Sequence, residues 1–244
     1  MALKTILNYS PNFFPKKRIS RQIKFIILHY TGMKSELNAL NRLTDIQSEV
    51  SSHYLIKNNG EIIKLVPDLY IAWHAGKSSW KNYKSLNQNS IGIEISNPGH
   101  EHGYKKFKKK QITSLLKLSK FLIKKYKISP KNFLGHSDIA ALRKKDPGEK
   151  FPWEYLSKNK IGVWHTLNKQ DLTKNRKLKI SKIEESIFFN NLFKIGYSKK
   201  NLKNKDKNKY SRELAKTFQR RFRQELVDGK IDQECLIISK NLIK

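Results

Sequence analysis

Cysteine is almost missing from this chain of 244 residues, in which Cys235 is the only one. A single thiol excludes an internal disulfide framework and any zinc site assembled from several cysteines. Long apolar runs are missing as well. None approaches the ~20 residues that a bilayer-spanning helix needs, which excludes an integral membrane protein of that kind. Met1 to Ser20 has no apolar core of roughly 7–15 residues and carries Lys16, Lys17 and Arg18, so a secretory signal is not expected. The expected location is therefore cytoplasmic, with the cell envelope or periplasm as the alternative if export uses another route. Acidic residues are scarce, 20 against 51 Lys and Arg, for a formal net charge of +31. Residues 1–165 carry +19 of it and the rest +12, so the excess is not one basic tail. Such a charge attracts polyanions. The lysines are scattered among Asn and Ile, however, and read first as solvated surface. The densest cluster, Lys105 to Lys110, reads as a solvated turn before a helix. There is no internal repeat, phosphate loop, nucleotide fingerprint or nucleophile elbow.

What is present suffices for a core: 38% hydrophobic and 11% aromatic residues, too many for a disordered chain. The length allows one or two domains. Phe25-Ile26-Ile27-Leu28 is a short, β-branched apolar run that reads as a strand buried on both faces. It ends in His29, Tyr30, Thr31 and Gly32, and polar residues at the end of a buried strand are where α/β proteins place chemistry. Leu37, Leu40, Leu43 and Ile46 predict a helix over 37–47. Runs 53–57 and 61–66 flank Asn58-Asn59-Gly60, a hairpin signal. Residues 71–90 read as a long loop and Ser90 to Ile95 as another strand. Ile112, Leu115, Leu116, Ser119, Leu122, Ile123 and Tyr126 share one face of an amphipathic helix over 111–126, which Ser129-Pro130 ends. Phe133-Leu134-Gly135-His136 leads into a loop through Asp146-Pro147-Gly148. After Trp164-His165 the composition changes. Residues 166–180 read as a polar linker, and 183–195, 211–226 and 232–243 as helices of a small all-α domain.

Several short blocks occur in a fixed order. They are Ile27-Leu28-His29-Tyr30-Thr31, Ser51-Ser52-His53-Tyr54-Leu55, Ala72-Trp73-His74-Ala75-Gly76 and Leu86-Asn87. They continue with Ser90-Ile91-Gly92-Ile93-Glu94-Ile95, Gly135-His136-Ser137-Asp138-Ile139-Ala140, Lys144-Lys145-Asp146-Pro147-Gly148 and Phe151-Pro152-Trp153. Together they resemble the bacterial type 2 N-acetylmuramoyl-L-alanine amidases, whose fold phage amidases and peptidoglycan recognition proteins share. The resemblance covers residues 21–165. It implies an α/β fold with a central mixed β-sheet flanked by helices, and a hydrolase of the bond between the N-acetylmuramoyl lactyl group and L-alanine in peptidoglycan or muropeptides.

The resemblance also implies roles. His29, His136 and Asp146 stand where the family binds one zinc ion. Two imidazoles and a carboxylate leave a fourth position open, as in a catalytic site. Glu94 stands at the catalytic acid/base, and its neighbours Ile93 and Ile95 set it against an apolar background that raises a carboxyl pKa. Lys144, two residues before Asp146, matches the oxyanion-stabilising lysine. His74, and with it Tyr54 and Trp80, would line the substrate cleft. No role follows for His53, His100, His102 or His165.

Residues 214–229, with Phe218-Gln219 and Val227-Asp228-Gly229, resemble the core of small helical peptidoglycan-binding domains. The expected organisation is a catalytic domain over 1–165, a linker over 166–180 and a helical domain over 181–244. That last domain would fold separately and could serve as a wall anchor. Phe218 and Phe222, four apart, read as core. Two other functions fit less of the sequence. A non-catalytic peptidoglycan-recognition protein would lack a zinc ligand, and all three are here. A nucleic-acid-binding protein would show steeply salt-dependent affinity, and only the charge suggests it.

Overall fold

The run Phe25–Tyr30 forms the strand on which the rest of the molecule is built. In the computed structural model, which describes residues 3–199 and 204–244, ten strands and eight helices follow in chain order. The strands are β1 (Ile6–Leu7), β2 (Phe13–Phe14), β3 (Phe25–Tyr30), β4 (Tyr54–Ile56), β5 (Ile62–Lys64), β6 (Ile71–Ala72), β7 (Ser79–Trp80), β8 (Tyr83–Lys84), β9 (Ser90–Ile95) and β10 (Phe133–Gly135). The helices are α1 (Glu36–Thr44), α2 (Lys109–Tyr126), α3 (His136–Ile139), α4 (Trp153–Lys158), α5 (Lys169–Lys174), α6 (Lys182–Ile195), α7 (Asn204–Phe222) and α8 (Gln233–Leu242). Six strands form a mixed sheet in the order β1-β5-β4-β9-β3-β10. Strands β4, β9, β3 and β10 run parallel, and only β4–β5 pairs antiparallel. That pair is the hairpin expected from Asn58-Asn59-Gly60, with Gly60 at φ +90°.

The two faces of the sheet have different partners because side chains alternate along each strand. Ile26 and Leu28 of β3 and Ile91, Ile93 and Ile95 of β9 pack with Ile112, Leu115, Leu118 and Leu122 of α2. On the opposite face Phe25 and Ile27 of β3 and Leu134 of β10 pack with Phe188, Leu192, Leu214, Phe218, Phe222 and Leu236 of α6, α7 and α8. The C-terminal helices therefore share a core with the sheet. The stretch 166–180, expected as a linker, contains α5 with Leu172 buried. Its end is held where the Gln233 amide donates to Leu178 O and the Glu234 amide to Asn175 O. A polar composition concealed this, because most of its partners lie far along the chain.

Other elements differ locally from the expected pattern. Helix α1 is capped by Ser35 and stops at Thr44, with Ile46 in a following 3₁₀ turn. It buries Ala39 and Leu43, while Leu37 and Ile46 are exposed. A spacing of three drifts around a helix of 3.6 residues per turn, so a row of this kind cannot stay on one face. The loop 71–90 contains β6, β7 and β8 in two small ribbons. Helix α7 begins at Asn204, inside the polar stretch, where no apolar periodicity marks it. Among the described residues no helix is long and apolar enough to cross a membrane.

Candidate active site

Parallel strands in an open sheet bring their carboxyl ends to one edge, which is where α/β sheets bind ligands. Here β3 ends in His29-Tyr30 and β9 in Glu94-Ile95, with His29 opposite Glu94 in register. β10 pairs Gly135 with Leu28, and His136 follows at once as the first residue of α3. His29 and Glu94 share a face with Phe25, Ile27, Ser90 and Gly92, the face turned toward the C-terminal helices. Asp146 comes from the loop after α3, where its carbonyl accepts from the Ser137 amide at 2.9 Å.

Three donor atoms converge. His29 Nδ1 is 3.0 Å from His136 Nδ1 and 3.0 Å from Asp146 Oδ2, and His136 Nδ1 is 3.1 Å from Asp146 Oδ2. All three residues are buried. Burial works against the Asp146 charge, but the two imidazoles outweigh it and hold the carboxyl far below its ordinary range. Burial, and then the neighbouring His136, lowers the His29 pKa to about 4. Two imidazoles and a carboxylate in this arrangement form a cluster able to hold a metal ion. Each imidazole is oriented by its other nitrogen: His136 Nε2 donates to Ala75 O at 3.1 Å, and His29 Nε2 lies 3.1 Å from His74 Nδ1.

Glu94 stands at the edge of this triangle. Its Oε2 is buried and has no hydrogen-bond partner. Burial, reinforced by the Asp146 charge and opposed by Lys144, raises its pKa well above the usual carboxyl value. Lys144 is half-buried and lines the same cleft of about 680 Å³ as His29, Glu94, His136 and Asp146. The adjacent Arg143 also lines the cleft, donating to Ala75 O at 2.8 Å and Lys77 O at 3.1 Å, with the same Nη2 3.3 Å from His136 Nε2.

Of the residues expected to line the cleft, two lie elsewhere. Tyr54 pairs with Ile93 and faces α2, on the side of the sheet away from His29; its hydroxyl donates to Asp68 at 2.5 Å. Trp80 packs against Tyr197, with ring centroids 4.9 Å apart, beneath the C-terminal helices. His74 does border the cleft but is almost wholly buried and bonded behind His29. Of the histidines left without a role, His100 meets the Tyr30 hydroxyl at 2.9 Å and Glu149 at 3.0 Å on the cleft rim. His53 is buried and accepts from the Gly92 amide, and the His165 ring lies tilted against Trp164 with centroids 4.9 Å apart. Sequence reasoning missed Ser90 and Gly92, which lie under the His74 ring. The only sign of them was a small residue alternating with isoleucine along β9.

The chain matches the family described as N-acetylmuramoyl-L-alanine amidase over residues 19–149. It is 34% identical over 235 residues to the N-acetylmuramoyl-L-alanine amidase AmiD of Escherichia coli (strain K12), covering 91% of this chain and 83% of that protein. Superposed on the AmiD complex with the substrate anhydro-N-acetylmuramic acid-L-Ala-D-gamma-Glu-L-Lys, it gives a TM-score of 0.78, over 91% of this chain and 89% of the other. The AmpDh3 structure from Pseudomonas aeruginosa gives 0.77 at 30% identity, over 93% and 92%. The 1,6-anhydro-N-acetylmuramyl-L-alanine amidase AmpD of Haemophilus influenzae is 32% identical over 167 residues, 61% of this chain and 88% of that protein.

Proposed function

Because the chain belongs to the N-acetylmuramoyl-L-alanine amidase family, we propose that it hydrolyses muropeptides, 1,6-anhydro forms among them, with one zinc ion held by His29, His136 and Asp146. The enzyme cleaves the amide between the N-acetylmuramoyl lactyl carbonyl and the nitrogen of L-alanine. The observation that carries the metal assignment is the near-equilateral triangle of two Nδ1 atoms and one Oδ2, with sides of 3.0–3.1 Å. The three ligand atoms lie close enough together for one small cation to be held by all of them. The donor set, two imidazoles and one carboxylate, is that of zinc hydrolases.

Zinc held by His29, His136 and Asp146 would supply a Lewis acid for the lactyl carbonyl and would lower the pKa of water toward ~7. Glu94, whose partnerless Oε2 faces no competing donor, takes the proton of that water as its oxygen bonds to the carbonyl carbon. It then gives the proton to the alanine nitrogen as the C–N bond breaks. The Lys144 ammonium stabilises the oxygen that gains charge between these steps, a contribution of about 3–4 kcal/mol for a well-placed donor.

Purified protein is expected to contain about one zinc per chain. It should release the stem peptide from anhydromuropeptides, lose that activity to a chelator and regain it with Zn²⁺. Metal analysis combined with mass spectrometry of the digests checks this, and an active preparation free of zinc would count against the assignment.

A further inference from the structure

The Trp73-His74-Ala75-Gly76 segment meets both imidazoles of the triangle from behind, and the mechanism gives it no task. Its position is set by Asn87, whose Oδ1 accepts from the His74 amide at 3.1 Å and the Ala75 amide at 2.7 Å. From this anchor Ala75 O accepts from His136 Nε2, and the His74 ring meets His29 Nε2.

The direction of the protons follows from the far end of the chain of contacts. Ser90 Oγ lies 2.6 Å from Leu86 O, and a carbonyl can only accept. The hydroxyl proton is therefore directed there. Ser90 Oγ then accepts from His74 Nε2, 3.2 Å away, which puts the ring proton on Nε2. A neutral imidazole has one N–H, so His74 Nδ1 is an acceptor, and it faces His29 Nε2 at 3.1 Å. His29 must donate from Nε2, which leaves the lone pair on Nδ1, the atom aimed at His136 and Asp146.

Gly92 makes room for this arrangement. A Cβ there would lie 2.4 Å from His74 Cγ and 2.7 Å from Nδ1 and Cδ2. The glycine of the Ile-Gly-Ile-Glu stretch is thus the seat of the ring, two residues along β9 from Glu94.

We propose that the His74-Ala75 pair, suspended from Asn87, is the second coordination layer of the metal site: the Leu86–Ser90–His74 chain locks His29, and the Ala75 carbonyl locks His136, each in the tautomer with Nδ1 free. His74 is then a positioning residue and makes no contact with substrate. This rests on the assignment of His29, His136 and Asp146 as metal ligands.

The test compares two replacements of nearly equal size. His74→Leu keeps an apolar filler and loses the acceptor, whereas His74→Asn places Oδ1 where the acceptor nitrogen was. Zinc affinity is measured on purified full-length protein by competition with a chelator of known affinity, with circular dichroism to verify folding. His74→Leu is expected to weaken zinc binding about 10–100-fold, and His74→Asn to stay within a few-fold of the parent. A role in packing alone gives the opposite order, because leucine is the better buried filler. Ser90→Ala provides the second variant should His74→Leu not fold, with weaker zinc binding expected. Equal zinc affinity in parent and His74→Leu, Asn no better than Leu, or an unaltered Ser90→Ala would each overturn the proposal while leaving the ligand assignment intact. A parent protein that binds no zinc would overturn the ligand assignment itself and the proposal with it.

Discussion

Glu94→Gln is expected to lower turnover on anhydromuropeptides by about 10²-fold or more while leaving zinc content and substrate affinity near those of the parent. The substitution retains shape and removes the one property the site needs, a carboxylate that can take a proton and return it. Glu94 is suited to this by its surroundings. It lies beside His29 in register, its Oε2 is buried without a partner, and burial together with the Asp146 charge raises its affinity for a proton. An ordinary surface carboxylate is too weak a base to capture a proton from water in the transition state. Raising its pKa toward neutrality brings it into the efficient range. Lys144 acts in the other direction and opposes part of this rise. Glu94 is not one of the three clustered donors, so metal retention separates loss of the base from loss of the site. Near-normal turnover of the Gln variant by single-turnover kinetics would remove Glu94 from the mechanism.

A chain ended near residue 170 is expected to lose activity on soluble muropeptides as well as on insoluble sacculi, and to be recovered mostly as aggregate. This differs from what a separately folding wall anchor would give, namely activity kept on the soluble substrate. Truncation uncovers Phe25, Ile27 and Leu134 of the sheet, whose covering comes from Phe188, Leu192, Phe218 and Phe222. It also strands a charge. Asp138, on the turn that begins with His136, is buried at 3% exposure. It caps the Gly135 amide at 2.7 Å and accepts from the Tyr197 hydroxyl at 2.8 Å and from Arg221. Arg221 reaches on to Phe133 O at 3.0 Å, with its Cζ 4.2 Å from the centre of the Trp153 ring. Removing one partner of such a buried pair costs about 3–5 kcal/mol, a large part of the 5–15 kcal/mol that holds a domain of this kind together. Arg221→Met in the full chain removes the ion pair together with the Phe133 and Trp153 contacts, and should show as a lower urea midpoint with unchanged slope. Recovery of a folded, active truncated chain would mean that the helices lie on the sheet without supporting it.

The residues that sequence placed well are those whose signal is local. Strand periodicity places His29 at the end of an apolar run, Glu94 between isoleucines and His136 after a short strand, while their roles come only from the family resemblance; the parallel sheet brings the three to one edge. Tyr54 and Trp80 sit in equally clear local patterns but answer to distant partners, Asp68 and Tyr197. No short stretch of sequence names those partners. His74 borders the cleft as expected, but its contacts with His29 and Ser90 were not legible, because they join residues that lie 45 and 16 positions apart. The contribution of the C-terminal helices was hidden for the same reason. Arg221 meets Asp138 across 83 positions of the chain.

The distance along the chain between the two sides of that second core also sets a schedule. Ile27 leaves the ribosome 195 residues before Phe222. At synthesis rates of about 5–20 residues per second, the sheet face carrying Ile27 waits roughly 10–40 s for the helix that covers it. During that interval the nascent chain presents an apolar surface with nothing to meet it, and overexpression shortens the time available to neither chain nor chaperone but multiplies the number of such surfaces. Slower initiation and lower temperature should therefore raise the soluble yield of this protein more than any change to its charged exterior.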